Sequence, residues 1–169
     1  MTHIPVLYEE IIRCIKPHSS GKYVDGTVGS GGHAAGILQA SEPDGMLLGL
    51  DIDSCAVNTA GIALKMFGER AILKKSSYVE MAKCVSDLGW HKVDGIVLDL
   101  GLSSQQLEKA ERGFSFNLEG PLDMRFDSTE ELRADDIVNG WSQHEIAKIL
   151  YELGDETQGN KIARALVSE

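Results

Sequence analysis

The strongest constraint on this chain is a pattern repeated through its first hundred residues, in which a short apolar strand ends in an aspartate. Lys22-Tyr-Val-Asp25, Met46-Leu-Leu-Gly-Leu-Asp51 and Val93-Asp-Gly-Ile-Val-Leu-Asp99 all follow it. Helical spacing predicts helices over His33 to Ala40, Ser54 to Phe67 and Val79 to Leu88, with a weaker strand at Arg70 to Lys74. An earlier helix over Pro5 to Lys16, with Val6, Leu7, Ile11, Ile12 and Ile15 in step, stops at Pro17. Strands that alternate with helices join through right-handed crossovers into a parallel sheet covered on both faces. Such α/β sheets take their ligands at the carboxyl ends of the strands, where Asp25, Asp51 and Asp99 all fall.

After Leu100 the alternation stops. Residues 101–128 read as one long loop with turn signals at Arg112-Gly113, Glu119-Gly-Pro121 and Asp127-Ser128, and loops of that length are commonly functional. Thr129 to Trp141 is predicted helical. Ser142-Gln-His-Glu145 is a capping box opening a second helix, with Ile146, Ile149, Leu150 and Leu153 on one face. Gly154 ends it, and Asn160 to Val167 starts a third. The last residue, Glu169, carries no capping or turn signal, and four strands with three helices leave a sheet edge with nothing following it, so the sequence reads as cut rather than finished.

Charge narrows the function. The chain of 169 residues has a formal net charge of −10. Residues 119–169 carry 12 Asp/Glu against 5 Lys/Arg. A broad basic surface for nucleic acid is therefore excluded, and any RNA contact must rest on a few placed groups. No apolar run approaches the roughly 20 residues of a membrane helix, and the N-terminus lacks the pattern of a signal peptide. Cys14, Cys55 and Cys84 are too scattered for a disulfide framework or a zinc site, which points to the cytoplasm and to small buried residues within helices.

Between the first strand and its helix lies Asp25-Gly-Thr-Val-Gly-Ser-Gly-Gly-His33. Gly29, Gly31 and Gly32 permit a tight turn with close backbone approach to a ligand. A dinucleotide site needs Gly-x-Gly-x-x-Gly, so that pyrophosphate sits on the helix N-terminus. Here the spacing differs, and an acid precedes the loop. An anion there disfavours pyrophosphate and suits a ligand with an ammonium and a sulfonium, as S-adenosyl-L-methionine has. Asp51, about 20 residues beyond the loop, is suited to ribose hydroxyls. A nicotinamide-dependent oxidoreductase is disfavoured on the same grounds. A metal site at His33, Asp51 and Asp53 lacks a second histidine nearby.

Further motifs extend the pattern: His3-x-Pro-Val-Leu7, Asp51-x-Asp53, Asp94-Gly-Ile-Val-Leu-Asp-Leu-Gly-Leu-Ser-Ser104, Arg112-Gly-Phe-Ser-Phe116 and Gly120-Pro-Leu-Asp-Met-Arg125. Together with the glycine loop they resemble, in order and across essentially the whole chain, the RsmH/MraW family, which methylates N4 of a cytidine in small-subunit (16S) ribosomal RNA. The resemblance implies the N-terminal strands of a Rossmann-like class I methyltransferase sheet over residues 1–105, binding S-adenosyl-L-methionine, with the C-terminal strands missing. Residues 106–169 would hold the substrate loop and the start of a helical insertion domain. It also implies that Gly31, Gly32 and His33 line the donor's methionine part and Asp51 its ribose. Tyr78 would pack near the adenine, while Asp99 and Gln106 complete the pocket. Unaided, Tyr78 reads as a core aromatic and Gln106 as an exposed loop residue.

Many amino-methyltransferases carry an Asn/Asp-Pro-Pro-aromatic motif after the fourth strand. Here that position is Asp99-Leu-Gly-Leu-Ser-Ser104, without prolines, and the hydrogen-bond acceptor for the amine is expected at Asp99 or Ser103. Arg112, Phe114, Phe116 and Arg125 form a candidate RNA rim, guanidinium to phosphate and ring to unpaired base. The alternative is that the two phenylalanines anchor the loop and Arg125 pairs with Asp123 or Asp127. The expected partner is small-subunit ribosomal RNA, within the assembled subunit. A donor-binding but inactive fragment is the second reading.

Overall fold

In the strands of the first hundred residues, successive side chains point to opposite faces, and both sets are apolar, as a sheet covered on both sides requires. The computed structural model describes residues 5–168 and divides into two units, one ending at Gly101 and the other beginning at Leu102.

The first unit holds α1 (Tyr8–Ile15), β1 (Lys22–Asp25), α2 (Gly32–Ala40), β2 (Met46–Asp51), α3 (Ser54–Ala63), β3 (Ala71–Lys75), α4 (Met81–Asp87) and β4 (Gly95–Val97). The four strands form one parallel sheet in the order β3-β2-β1-β4. Tyr23 and Leu47 point to one face, where they pack with Ile37, Leu38, Ala60 and Leu64 and with Ile11, Ile12 and Ile15 of α1. Val24, Leu48 and Leu50 point to the other, against Cys84, Trp90, Met81 and Val85. The strand order reverses at β1: the chain leaves it toward β2 and later returns to its other side as β4. Such a reversal, at the carboxyl ends of β1 and β4, is the usual ligand position of these sheets.

The second unit holds α5 (Ser104–Glu108), α6 (Ala134–Gly140), α7 (Gln143–Glu152) and α8 (Gly159–Ser168). Ile146, Ala147 and Ala163 form its buried centre, flanked by Ile137, Trp141 and Leu150.

Several expectations are corrected. The fourth strand is shorter than Val93 to Asp99, because beyond Val97 the backbone leaves the ladder and the Asp99 amide bonds instead to Thr27 Oγ1. The helix expected to reach Phe67 ends at Ala63 and continues as a 3-10 turn over Lys65–Arg70, in which Gly68 is non-helical. The helix expected from Val79 likewise opens as a 3-10 turn, Tyr78–Glu80, capped by Ser77. The helix expected from Thr129 begins at Ala134, since the amide and hydroxyl of Thr129 both bond to Asp127. Residues 101–128 are not a bare loop. They contain α5, opened by a Ser103–Gln106 capping box. Of the cysteines only Cys84 is buried; Cys14 and Cys55 lie on exposed helix faces. Among the described residues no helix is long and apolar enough to cross a membrane.

Candidate active site

The loop that leaves β1 is held by hydrogen bonds to the ends of its neighbouring strands. The Gly26 amide donates to Val97 O at 2.9 Å, Val28 to Leu50 O at 2.8 Å, and Gly31 to Val28 O at 2.7 Å. The Thr27 amide donates to Asp25 Oδ1 at 3.2 Å and the Gly29 amide to Asp51 Oδ2 at 3.0 Å. Five amides of the turn are thus already bonded within the protein. Those five are therefore not available to an anion, as the amides of a phosphate-cradling loop must be. Gly29 (φ 52°) and Gly31 (φ 88°) adopt the left-handed conformation that the turn requires.

Around the loop stand three carboxyl groups from three strand ends. Asp51 accepts from Gly29 with one oxygen and from the Asp53 amide with the other, both at 3.0 Å. Asp53 caps α3 through the Cys55 amide, so the two acids together fix the end of β2. Asp25 is almost wholly buried, and burial pushes its carboxyl up to about 7. The Thr27 amide pulls the other way, and the neighbouring Asp51 and Asp99 add a smaller upward push. Near neutral pH the buried acid is therefore only partly ionised, and a cation brought beside it favours the charged form. The Asp99 side chain is 53% exposed. Its backbone is pinned by the 2.7 Å bond to Thr27 Oγ1, so the carboxylate stands free at a fixed point.

His33, at the start of α2, is only 6% exposed, yet neither ring nitrogen has a hydrogen-bond partner. Its Nε2 lies 3.7 Å from Asp99 Oδ2, beyond hydrogen-bond length. Burial holds the imidazole below its ordinary pKa, opposed by the Asp99 charge. A buried polar group without a partner calls for one. Here the nearest charged group is Asp99. Tyr78 is not a core residue: it is 41% exposed and sits beside Gly26, where an added Cβ would come within 3.0 Å of its own. The first unit thus gathers Gly29, Gly31, His33, Asp51, Tyr78 and Asp99 at one edge of the sheet. Among the described residues no group of three or more His, Cys, Asp or Glu side chains is placed to hold a metal ion.

Comparison with known proteins gives this arrangement its family. The family model described as "MraW methylase family" matches residues 1–169. The chain belongs to the MraW methylase family. A protein of Syntrophus aciditrophicus named ribosomal RNA small subunit methyltransferase H is 49% identical over 167 residues, covering 99% of this chain and 53% of the relative. Its namesake in Syntrophotalea carbinolica is 46% identical over 164 residues, covering 97% and 52%. The chain thus spans about half the length of these relatives. A solved SAM-dependent O-methyltransferase from Thermotoga maritima matches with TM-score 0.42 at 23% identity, over 47% of this chain and 32% of that one. An rRNA methylase from Streptococcus thermophilus matches with TM-score 0.40 at 17% identity, over half of each chain.

The family motifs of the second unit serve its own folding more than the sequence suggests. Ser103 Oγ accepts from the Gln106 amide, and Gln106 Oε1 accepts from the Ser103 amide at 3.0 Å. Gln106 is therefore buried in a helix cap, not exposed in a loop. Arg112 donates to the carbonyls of Arg125 and Phe126, both at 2.9 Å, and its guanidinium lies over the Phe114 ring. Phe114 is buried and packs on Phe126 with ring centroids 5.2 Å apart. Arg125 forms a two-pronged pair with Asp123. Phe114, Arg112 and Arg125 thus make contacts that hold the loop together, while Phe116 presents a fully exposed ring. Two aromatics two residues apart in a loop carry no signal for which one turns inward.

Proposed function

We propose that this chain is the donor-binding part of an S-adenosyl-L-methionine-dependent methyltransferase of ribosomal RNA, acting on N4 of a cytidine in the small subunit. The observation that carries the proposal is the glycine turn whose amides are bonded internally while three strand-end carboxyl groups surround it. Such a site is poor for a polyanion and good for a nucleoside bearing an ammonium and a sulfonium. The residues present fit that donor. Asp51 has lone pairs left for ribose hydroxyls, Tyr78 offers a half-exposed ring, and His33 has two buried, unmatched nitrogens close to Asp99. When bound, the donor supplies the methyl group from its sulfonium.

The chain's own task is placement and proton handling. Cytosine N4 is a weak nucleophile because its lone pair is delocalised into the ring, so an acceptor beside it is needed. Asp99 is the better candidate, an exposed carboxylate on a pinned backbone, whereas the Ser103 hydroxyl already accepts the cap bond of α5. Holding amine and acceptor at fixed separation supplies much of the acceleration in such transfers. Phe116 takes the place of Phe114 as the ring offered to an unpaired base. Substrate within the assembled small subunit implies a cytoplasmic setting.

Calorimetric titration of the chain with S-adenosylmethionine, S-adenosylhomocysteine and NAD tests the donor site. Binding of the first two without NAD is expected, and equal or better NAD binding overturns the reading. A methyl-transfer assay on isolated small subunits then separates turnover from donor binding alone.

A further inference from the structure

The chi2 torsion of a histidine is broad and roughly two-fold, so its ring plane is ordinarily set by hydrogen bonds to its nitrogens. His33 has none within the protein. What acts on its plane is packing, together with the Asp99 carboxylate 3.7 Å from Nε2. The ring of Tyr8, one helix away on α1, stacks against it with an interplanar angle of 18° and centroids 6.3 Å apart. Tyr8 is itself held in a notch that exists because residue 36 has no side chain. A Cβ on Gly36 would fall 2.3 Å from the Tyr8 hydroxyl and within 2.7 Å of the ring. Pro5 closes the same seam one turn earlier, since a Cβ on Gly32 would meet its ring carbon at 2.3 Å. The missing side chains of Gly32 and Gly36 thus let the segment before and within α1 lie directly on the start of α2.

We propose that Tyr8 is a positioning residue of the donor site: stacked on His33 and seated on Gly36, it fixes the plane of an imidazole that makes no hydrogen bond, and so presents Nε2 toward Asp99 and the donor. The inference rests on the donor reading above. Tyr8 touches neither donor nor RNA in this role and acts through His33 alone.

The test is a double-mutant cycle on donor affinity, read by calorimetry, with the thermal midpoint of each variant as a check of folding. Tyr8→Phe keeps the flat ring and is expected to bind S-adenosylhomocysteine within about twofold of the parent chain. Tyr8→Leu fills the notch without a flat face and is expected to weaken binding about fivefold, the size of one aromatic pair. In a His33→Ala background the same Tyr8→Leu change is expected to have no further effect, because the ring it orients is gone. Additive losses in the cycle, or a Tyr8→Leu variant that binds like the parent, overturn the inference. Gly36→Ala, which pushes the Tyr8 ring out of its notch, gives the same comparison without altering Tyr8. If the parent chain itself binds no donor, the functional reading fails first; if it binds and the cycle is additive, only the role of Tyr8 fails.

Discussion

The Gly29 amide donates to Asp51 Oδ2 at 3.0 Å, tying the turn after β1 to the end of β2 across 22 positions of sequence. The carboxylate is a structural clamp as well as the proposed ribose acceptor: its other oxygen accepts from Asp53. Asp51→Asn turns one acceptor into an N–H donor facing another N–H. The expected cost is on the order of 1–3 kcal/mol of stability, together with at least about tenfold weaker donor binding, since each tenfold is roughly 1.4 kcal/mol. Chemical unfolding and calorimetry read the two effects; loss of donor affinity with unchanged stability argues against the clamp.

Asp25 is expected to make both stability and the proposed donor binding depend on pH. Its folded pKa, about 7, lies above the unfolded value of 3.8. Between those values the folded chain holds a proton that the unfolded chain has released. Its contribution is therefore full below about pH 4 and is lost as pH rises through about 7. Asp25→Asn keeps the acceptor for Thr27 and removes the ionisable group. The variant should gain on the parent as pH rises from about 4 to 8, by on the order of 2–4 kcal/mol at the upper end. Donor binding moves the other way. A cationic ligand favours the charged acid, so parent affinity should fall below about pH 7, and binding near pH 7 should release protons, while the variant shows neither effect. Denaturation across pH and calorimetry in buffers of different ionisation enthalpy check both.

The strands from Lys22 to Asp25 and Met46 to Asp51 were legible in sequence because buried parallel strands are apolar throughout and these end on a charge. The Ser103-x-x-Gln106 capping box is likewise a local pattern, though it lies within a stretch otherwise rich in turn signals. What no local pattern carries is the consumption of the loop amides by Val97, Leu50 and Asp51, which comes from three strands meeting at one edge. The seat of Tyr8 is hidden for the same reason. A glycine inside a helix signals nothing by itself, and only the packed structure reveals which ring fills the space above Gly36.

Phe114 and Phe116 should separate cleanly under substitution. Phe114→Ala removes a buried ring and its contact with Phe126, at a cost of about 3–5 kcal/mol, which unfolding of the second unit would report. Phe116→Ala removes a ring that is fully in solvent and should change stability by less than about 0.5 kcal/mol. Its effect is expected on RNA: a lost stacking contact weakens binding by roughly 1–3 kcal/mol per base, measured on small subunits or a fragment of their RNA. Normal RNA affinity in Phe116→Ala removes this ring from the substrate surface.

The Asp99 carboxylate is the one strand-end acid with no backbone clamp on its side chain: its main chain is fixed through Thr27, while its oxygens face solvent and, at 3.7 Å, His33. That freedom distinguishes it from Asp51, whose oxygens each hold an amide. Asp99→Asn therefore should fold with an unchanged thermal midpoint and bind donor within a few-fold of the parent. Turnover should fall by about 100-fold or more, the usual scale for losing a positioned proton acceptor. In the relatives, which span the full length, single-turnover methyl transfer isolates that step from product release. Ser103→Ala should instead destabilise α5 by about 1 kcal/mol through loss of its cap, with the transfer step little changed. The opposite pattern, full transfer in Asp99→Asn and loss in Ser103→Ala, would assign the acceptor role to Ser103.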